Sequence, residues 1–253
     1  MPKFRSTDGV EIHFQSWDGD PDQPLVLLHH GFIANGTTNW VLPGVVGALQ
    51  AAGRRVVAID ARGHGESGKP HDPAFYGERR MSEDVVTLLD LLGATEVDLV
   101  GYSMGGIVSL ITATRESRVR RLVVGGIGSA VVELGGVDTR VIGAEPLREA
   151  LHADDPATIA NPAAAGFRSF IDAVGGDRAA LAAQAARMHA EPIALDTISV
   201  PTLVIAGRDD ALATRPGLLA DAIPGARLAV IDGDHLGAVR EPAFTTELIK
   251  FIE

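Results

Sequence analysis

The stretch that decides the fold covers residues 97–106 and reads Val-Asp-Leu-Val-Gly-Tyr-Ser-Met-Gly-Gly. Its first four residues form a short, largely apolar run that predicts a buried β-strand. Gly101 ends the run, and Ser103 follows two residues later. The apolar residues 107–111 then predict a buried helix. A strand, a sharp turn and a helix therefore follow one another, with a serine at the apex of the turn.

Gly101, Ser103 and Gly105 form a Gly-x-Ser-x-Gly pattern, which is typical of a nucleophile elbow. Because glycine has no Cβ, the strand and the helix can approach each other closely around a strained turn. The N–H groups at the start of the following helix then point toward the serine, where they can stabilise an oxyanion. An ordinary glycine-rich turn can show the same five-residue pattern, so the interpretation depends on the rest of the chain.

Composition limits the classes of protein to consider. The chain has 253 residues, of which 46% are hydrophobic, and this predicts one large α/β domain or a domain with an insertion. The net charge is −11, and no cluster of Lys and Arg is long enough to follow a phosphate backbone. We therefore expect neither a nucleic acid nor a membrane as a partner. The absence of cysteine excludes disulfides, thiolate metal sites and a cysteine nucleophile.

The first nine residues lack the apolar core of a signal peptide. No apolar stretch approaches the roughly 18 residues of a membrane-spanning helix. These two features predict a cytoplasmic protein.

Eight segments are predicted as strands. Asp8-Gly9, which lies between two strand-like segments, predicts an antiparallel hairpin at the edge of the sheet. Six short apolar runs predict the other strands: residues 25–29, 55–60, 97–100, 121–125, 202–207 and 226–231. The run 25–29 is typical of a strand buried on both faces, and 55–60 and 202–207 are also predicted to be buried. Helical patterns alternate with these runs, for example over residues 40–52 and in a helix capped by Ser82. This alternation predicts a mostly parallel eight-stranded sheet with helices on both faces.

The pattern changes between residues 129 and 195. Strand-like runs nearly vanish there, helical patterns are short, and Ala, Asp and Pro dominate, so side chains such as Arg168 are expected on solvated helix faces. We predict a helical lid over residues 129–195, inserted after the sixth strand. Residues 1–128 and 196–253 would then form the core domain.

The partners that a catalytic serine needs are found in later loops. A serine hydroxyl becomes a good nucleophile when a histidine takes its proton and a carboxylate orients that histidine. In open α/β sheets such groups gather just after the carboxyl ends of strands. His235 follows the last predicted strand in a loop of small residues, and Asp209 and Asp210 follow the strand before it. Either carboxylate could instead be an ordinary solvated turn residue.

The chain order Ser, Asp, His at these positions resembles that of the α/β-hydrolase superfamily. Within it, the chain is similar to the lid-bearing serine hydrolases, which include carboxylesterases, lactonases, carbon–carbon bond hydrolases and perhydrolases. The resemblance covers nearly the whole chain outside the predicted lid. It is carried by His30-Gly31-Phe32, by Asp-Ala-Arg-Gly-His-Gly-Glu-Ser over residues 60–67, by the elbow, by residues 207–210 and by His235.

This resemblance implies a role for each site residue. It makes Ser103 the nucleophile and His235 the base, and it favours Asp210 over Asp209 as the acid, because the acid of the family stands three residues after a glycine. Some relatives carry the acid after the preceding strand, but that loop, residues 125–129, has no carboxylate. The backbone N–H groups of Phe32 and Met104 are the implied oxyanion hole.

The resemblance also implies the reaction. It points to a cofactor-independent, metal-free serine hydrolase whose partner is a small-molecule substrate. Epoxide hydrolases and haloalkane dehalogenases of similar fold carry Asp at the elbow, so Ser103 implies an acyl-enzyme. The expected substrate is a small, largely apolar carboxylic ester, lactone or thioester. His30, Arg62 and His64 are interpreted as structural residues.

Two other kinds of function use the same residues. A carbon–carbon bond hydrolase or a perhydrolase would need the same three side chains. A ligand-binding signalling protein of this fold with slow turnover could also keep them. The sequence does not specify an oligomeric state.

Overall fold

The computed structural model describes residues 2–253, and a single eight-stranded sheet lies at its centre. Strands β1 (Lys3–Arg5) and β2 (Glu11–Trp17) form the predicted antiparallel hairpin. The remaining strands are β3 (Leu25–His29), β4 (Val56–Ile59), β5 (Val97–Tyr102), β6 (Val119–Gly125), β7 (Thr202–Gly207) and β8 (Arg227–Ile231). Their order is β1-β2-β4-β3-β5-β6-β7-β8, and every pair from β4 to β8 is parallel. The predicted mostly parallel sheet is confirmed.

Nine α-helices surround the sheet in the part of the chain that the structure describes. They are α1 (Val45–Ala51), α2 (Glu78–Leu91), α3 (Met104–Ala113), α4 (Ala130–Leu134), α5 (Ala144–His152), α6 (Pro162–Val174), α7 (Arg178–Ala185), α8 (Pro216–Ala222) and α9 (Pro242–Ile252). Short 3₁₀ turns cover Pro73–Phe75, Pro156–Thr158, Leu195–Thr197 and Ala238–Arg240, and a π-helical turn covers Thr37–Val41. Over residues 2–253, no helix combines the length and apolar character that a membrane crossing requires.

The core consists of two apolar layers, one on each face of the sheet. Successive side chains of a strand point to opposite faces. Leu27 and Leu99 therefore pack in the layer that holds α2 and α3, while Leu28 and Val100 pack in the layer that holds α1 and α9. Burial on both faces explains why the central strands are continuous apolar runs.

Two predicted helix starts differ from the structure. The helical pattern over residues 40–52 splits into the π-helical turn and α1, because Gly44 between them has a left-handed φ of 86°. Helix α2 begins at Glu78, so the prediction that Ser82 caps it is wrong, and Ser82 is buried inside the helix. The start of α2 is held by a tertiary contact: the backbone N–H of His189 donates to a Glu78 carboxylate oxygen at 2.7 Å. No local pattern reports such a contact.

Helices α4 to α7 lie between β6 and β7. Helices α5, α6 and α7 share an apolar cluster, whereas Val131 of α4 packs in the core of the sheet. Arg168 of α6 is buried in this segment, not solvated as expected. Its Nη1 group donates to the carbonyl oxygens of Ala150 at 3.0 Å and Ala153 at 2.6 Å, and its Nε group donates to Asp172 at 2.9 Å. Arg168 therefore ties α6 to the end of α5. The division at residues 129 and 195, and the function of this segment as a lid, stay predictions.

Arg62 joins three parts of the core domain through a buried ion network. Its guanidinium donates to Asp84 of α2 at 2.7 and 2.8 Å and to Asp8 of the hairpin turn at 2.6 Å. Both Arg62 and Asp84 are buried. The interpretation of Arg62 as a structural residue agrees with these contacts.

Arg62→Met should destabilise the protein strongly. Removing one partner of a buried ion pair leaves an uncompensated charge, here that of Asp84, and such a change costs about 3–5 kcal/mol. The measurement is the free energy of unfolding in urea. Arg148→Met, which removes the exposed pair with Glu145, is the matched control and should leave the unfolding midpoint unchanged. Equal stabilities for the two variants would contradict the structural role of Arg62.

Glu78 should make the stability depend on pH. Its burial raises the pKa of the carboxyl from 4.5 to about 7. Between these two values the unfolded chain loses this proton and the folded chain keeps it, so stability falls as the pH rises, by about 3 kcal/mol in all. Glu78→Gln should remove that fall, measured as the free energy of unfolding from pH 4 to pH 8. An equally steep fall in the variant would show that another group causes it.

Candidate active site

Ser103 sits at the apex of the turn between β5 and α3, in a strained backbone conformation with φ 53° and ψ −118°. Its glycine neighbours allow the close packing around it. A Cβ added at Gly101 would lie 2.1 Å from the carbonyl oxygen of Gly105, and one at Gly105 would lie 2.1 Å from that of His29. Only glycine fits at either position, so β3, β5 and α3 meet at the serine.

The structure brings Ser103, His235 and Asp210 together in one hydrogen-bonded row. The Ser103 hydroxyl lies 3.1 Å from Nε2 of His235. Nδ1 of His235 lies 2.9 and 3.0 Å from the two carboxylate oxygens of Asp210. The histidine comes from the loop after β8 and the aspartate from the loop after β7. This arrangement can move a proton from the hydroxyl to the ring while the carboxylate balances the ring's new charge.

The Asp210 carboxylate is fixed by its own loop. It accepts hydrogen bonds from the backbone N–H groups of Leu212 at 2.9 Å and Ala213 at 3.2 Å, and it is buried. The neighbouring Asp209 is exposed and makes no side-chain contact with His235 among the described residues. The histidine loop is fixed by a second contact: the Tyr102 hydroxyl donates to the carbonyl oxygen of His235 at 2.8 Å.

The loop after β3 lies against the other side of Ser103. A Cβ at Gly31 would approach the Ser103 Cβ to 3.2 Å. The Gly31 N–H donates to Oδ1 of Asn39 at 3.0 Å, and the Gly31 carbonyl oxygen lies 2.8 Å from Nδ1 of His30. A trans peptide directs its N–H opposite to its carbonyl oxygen, so the bond to His30 also sets the direction of the Phe32 N–H. The second expected donor is the N–H of Met104, which is the first residue of α3 and so has no intrahelical acceptor.

His30 is held as a neutral hydrogen-bonding group. The Ala61 N–H donates to its Nε2 at 2.9 Å, so the ring proton is on Nδ1, facing Gly31. Burial, together with the neighbouring rings of His64 and His29, lowers the pKa of His30 to about 3. A ring with this pKa stays neutral near pH 7 and does not take up a second proton. The interpretation of His30 as a structural residue agrees with this geometry.

Three further residues surround this site and are not predicted by any sequence pattern. Asn39 supports Gly31 from the π-helical turn, and π-helical turns are often found at functional sites. Ile33 has a left-handed φ of 73°, which is an outlier for a β-branched residue and costs about 1–3 kcal/mol. Gln184 of α7 is buried, with its Nε2 3.8 Å from the Sδ of Met104. An apolar or amide side chain carries no sequence signal for such positions.

The titratable groups near the site do not form a metal centre. Over residues 2–253, no group of three or more His, Cys, Asp or Glu side chains is arranged to hold a metal ion.

Comparison with known proteins identifies the family. A sequence model described as the alpha/beta hydrolase fold matches residues 24–147. A solved hydrolase from Pseudomonas aeruginosa is 29% identical, with a TM-score of 0.78, over 99% of this chain and 97% of that chain. The chain belongs to the α/β-hydrolase superfamily. An enol-lactonase from Burkholderia xenovorans is 25% identical, with a TM-score of 0.80, over 99% of both chains.

Among curated proteins, this α/β hydrolase is 41% identical over 116 residues to the sn-1-specific diacylglycerol lipase ABHD11 of Mus musculus. That match covers 46% of this chain and 36% of the lipase. The chain spans about a third of the length of such curated relatives.

The His30 ring should stay neutral, with its proton on Nδ1, from pH 5 to pH 8. Its buried surroundings hold the pKa near 3, and the Ala61 N–H occupies Nε2. The ¹⁵N and ¹H shifts of the imidazole groups measure both the protonation and the tautomer, and the exposed ring of His71 provides a reference in the same spectra. A proton on Nε2, or a titration of His30 within this range, would contradict the assigned hydrogen bond to Gly31.

Proposed function

We propose that this α/β hydrolase is a cofactor-independent serine hydrolase that cleaves a small, largely apolar carboxylic ester, lactone or thioester. The observation that carries the proposal is the row of Ser103, His235 and Asp210, with contacts of 3.1 and 2.9 Å. The backbone N–H groups of Phe32 and Met104 would form the oxyanion hole. Each of these elements serves nucleophilic attack on a carbonyl group.

In the acylation step, Nε2 of His235 takes the proton of the Ser103 hydroxyl as Oγ bonds to the carbonyl carbon. The carbonyl π electrons move to oxygen, and the two N–H groups stabilise this oxyanion. Asp210 stabilises the imidazolium. When the oxyanion collapses, the bond to the leaving oxygen or sulfur breaks and that atom takes the proton from Nε2. An acyl ester on Ser103 remains.

In the deacylation step, a water molecule takes the place of the leaving alcohol or thiol, which for a lactone remains attached to the acyl group. His235 takes a proton from the water, whose oxygen bonds to the acyl carbon. Collapse of the second tetrahedral intermediate breaks the bond to Oγ, and Nε2 returns the proton to Ser103. The products are a carboxylic acid and the free enzyme. The protein groups described above supply every proton transfer, so the proposal includes no cofactor and no partner other than the substrate.

Two features support this substrate class. Serine at the elbow, instead of the aspartate of epoxide hydrolases, favours an acyl-enzyme from a carbonyl substrate. The segment after β6 contributes an apolar cluster that reaches Phe32 beside the serine. A similar structure is that of an enol-lactonase, a protein named for cleaving a cyclic ester.

A fluorophosphonate probe should label the wild-type protein at Ser103, and the protein should hydrolyse p-nitrophenyl acetate. Ser103→Ala should abolish both. Asp210→Asn should lower kcat by about 10⁴-fold, because the asparagine holds the wrong tautomer of His235. The matched control is Asp209→Asn, at the exposed neighbouring residue of the same loop, which should keep wild-type activity. The measurements are intact-protein mass and the rate of nitrophenol release.

An unlabelled wild-type protein would contradict the proposal, because Ser103 would then not be an activated nucleophile. Loss of activity in Asp209→Asn but not in Asp210→Asn would overturn the assignment of Asp210 as the acid, while Ser103 would still be the nucleophile. Labelling without multiple turnovers, tested on a panel of esters, lactones and thioesters, would favour a ligand-binding protein of this fold.

A further inference from the structure

We propose that Ile33 is a positioning residue for this reaction: packing of the segment 129–195 around its side chain holds the Phe32 N–H toward Ser103. The inference rests on the proposed serine hydrolase function. It gives the helical segment a part in catalysis that needs none of its side chains at the reacting atoms.

Ile33 belongs to the oxyanion loop by sequence and to the helical segment by packing. It is 3% exposed and lies in an apolar cluster. Every other buried member of that cluster comes from the segment after β6: Ile142, Leu147, Ala150, Leu151, Ile159, Ala164, Ile171 and Leu181. Phe32, the residue that carries the expected donor, packs against both this cluster and the core of the domain. The loop and the segment therefore share one core.

The backbone of Ile33 shows that its conformation is imposed. An isolated isoleucine avoids a φ of 73°, because its branched Cβ crowds the following carbonyl oxygen. The chain is fixed on both sides of it. On one side, Gly31 is bonded to His30 and Asn39. On the other, the Gly36 N–H donates to Asp60 at 2.8 Å. Between these two anchors, the conformation of Ile33 is stabilised by the burial of its side chain.

The direction of the Phe32 N–H depends on this conformation. Phe32 immediately precedes Ile33, so a rotation of Ile33 to an ordinary φ moves the peptide groups on its N-terminal side. The hydrogen bond between His30 and the Gly31 carbonyl oxygen holds the peptide group that carries the Phe32 N–H, and the packing on Ile33 is a second restraint on the position of that peptide. Loss of the packing on Ile33 should therefore weaken the hydrogen bond from the Phe32 N–H to the oxyanion. Because the oxyanion forms only as the reaction proceeds, kcat should fall with little change in KM.

Alanine and glycine at position 33 distinguish this positioning from packing alone. Both remove the apolar side chain from the cluster. Alanine still avoids a left-handed φ, so its loop should relax, whereas glycine adopts that φ freely. We expect Ile33→Ala to lower kcat for p-nitrophenyl acetate by at least about tenfold, toward the 10²–10³ that the loss of one donor costs. Ile33→Gly should have the higher kcat of the two, with KM unchanged in both.

The control removes a similar volume from a different part of the core, at a residue with an ordinary backbone. Ile198 is fully buried, has a φ of −73° and lies in the core of the sheet, outside the cluster that holds Ile33. Ile198→Ala should lower the thermal unfolding temperature about as much as Ile33→Ala does, while keeping kcat near the wild-type value. The affinity for a trifluoromethyl ketone, which forms an oxyanion on binding Ser103, should follow kcat through all these variants.

Three results would overturn the inference: a lower kcat in Ile33→Gly than in Ile33→Ala, an equal loss of kcat in Ile198→Ala, or a loss that appears in KM alone. If Ile33→Ala does not fold, Ile33→Val replaces it. That variant lacks one methyl group and should show a smaller fall in kcat at unchanged KM, and wild-type kinetics in it would also overturn the inference. Fluorophosphonate labelling of the wild type distinguishes failure of the proposed function from failure of the role of Ile33. An unlabelled wild type contradicts the serine hydrolase itself, whereas a labelled wild type leaves only the role of Ile33 to be tested.

Discussion

The close contact between Gly105 and the end of β3 is the constraint on which the site depends. With no side chain at Gly105, the start of α3 rests on the carbonyl oxygen of His29. That contact places three things at one point: the strained serine, the first N–H of a helix and the loop that follows β3. Any larger residue would separate the helix from the strand and move all three apart. The geometry at Ser103 is therefore set first by steric contact and only then by its polar partners.

Buried polar groups, not regular structure, hold the loops around this point. The Asp60 carboxylate accepts hydrogen bonds from the N–H groups of Gly36 and Glu66 and from the ring of His13. His30 binds Gly31 and Ala61 in the same layer. Because a buried polar group is costly without partners, each of these bonds resists a change in its loop. The two histidines also differ in burial. Complete burial keeps the His30 ring neutral, whereas the His235 side chain is 20% exposed and lies beside a carboxylate.

The segment between β6 and β7 touches the core domain close to both expected oxyanion donors. Ile33 joins its apolar cluster beside Phe32, and Gln184 of α7 reaches the side chain of Met104. The same glutamine accepts a hydrogen bond from the Gly77 N–H at 3.2 Å, at the start of α2. The segment therefore meets the core domain through an apolar contact on one side and polar contacts on the other.

The sequence by itself determined the parts of this protein that depend on neighbouring residues. Apolar runs of four to six residues encode the strands, and the glycines on either side of Ser103 encode a turn that no other residue can make. The eight strands, the hairpin at Asp8-Gly9 and the strained elbow could be predicted for that reason. Asp210 could be chosen over Asp209 only by resemblance, because both follow the same strand and only the folded loop decides which one faces a ring 25 positions away.

Tertiary structure alone decided the features that residues distant in sequence create together. Helix α2 begins at Glu78 and not at Ser82 because a backbone group 111 residues away binds the glutamate. Arg168 lies inside its segment because two carbonyl groups of another helix end accept its protons. Ile33 looks like an ordinary core residue in the sequence, yet packing from a separate segment imposes a backbone conformation that isoleucine otherwise avoids. Local sterics are encoded in contiguous residues, whereas burial and pairing depend on what the finished fold brings near.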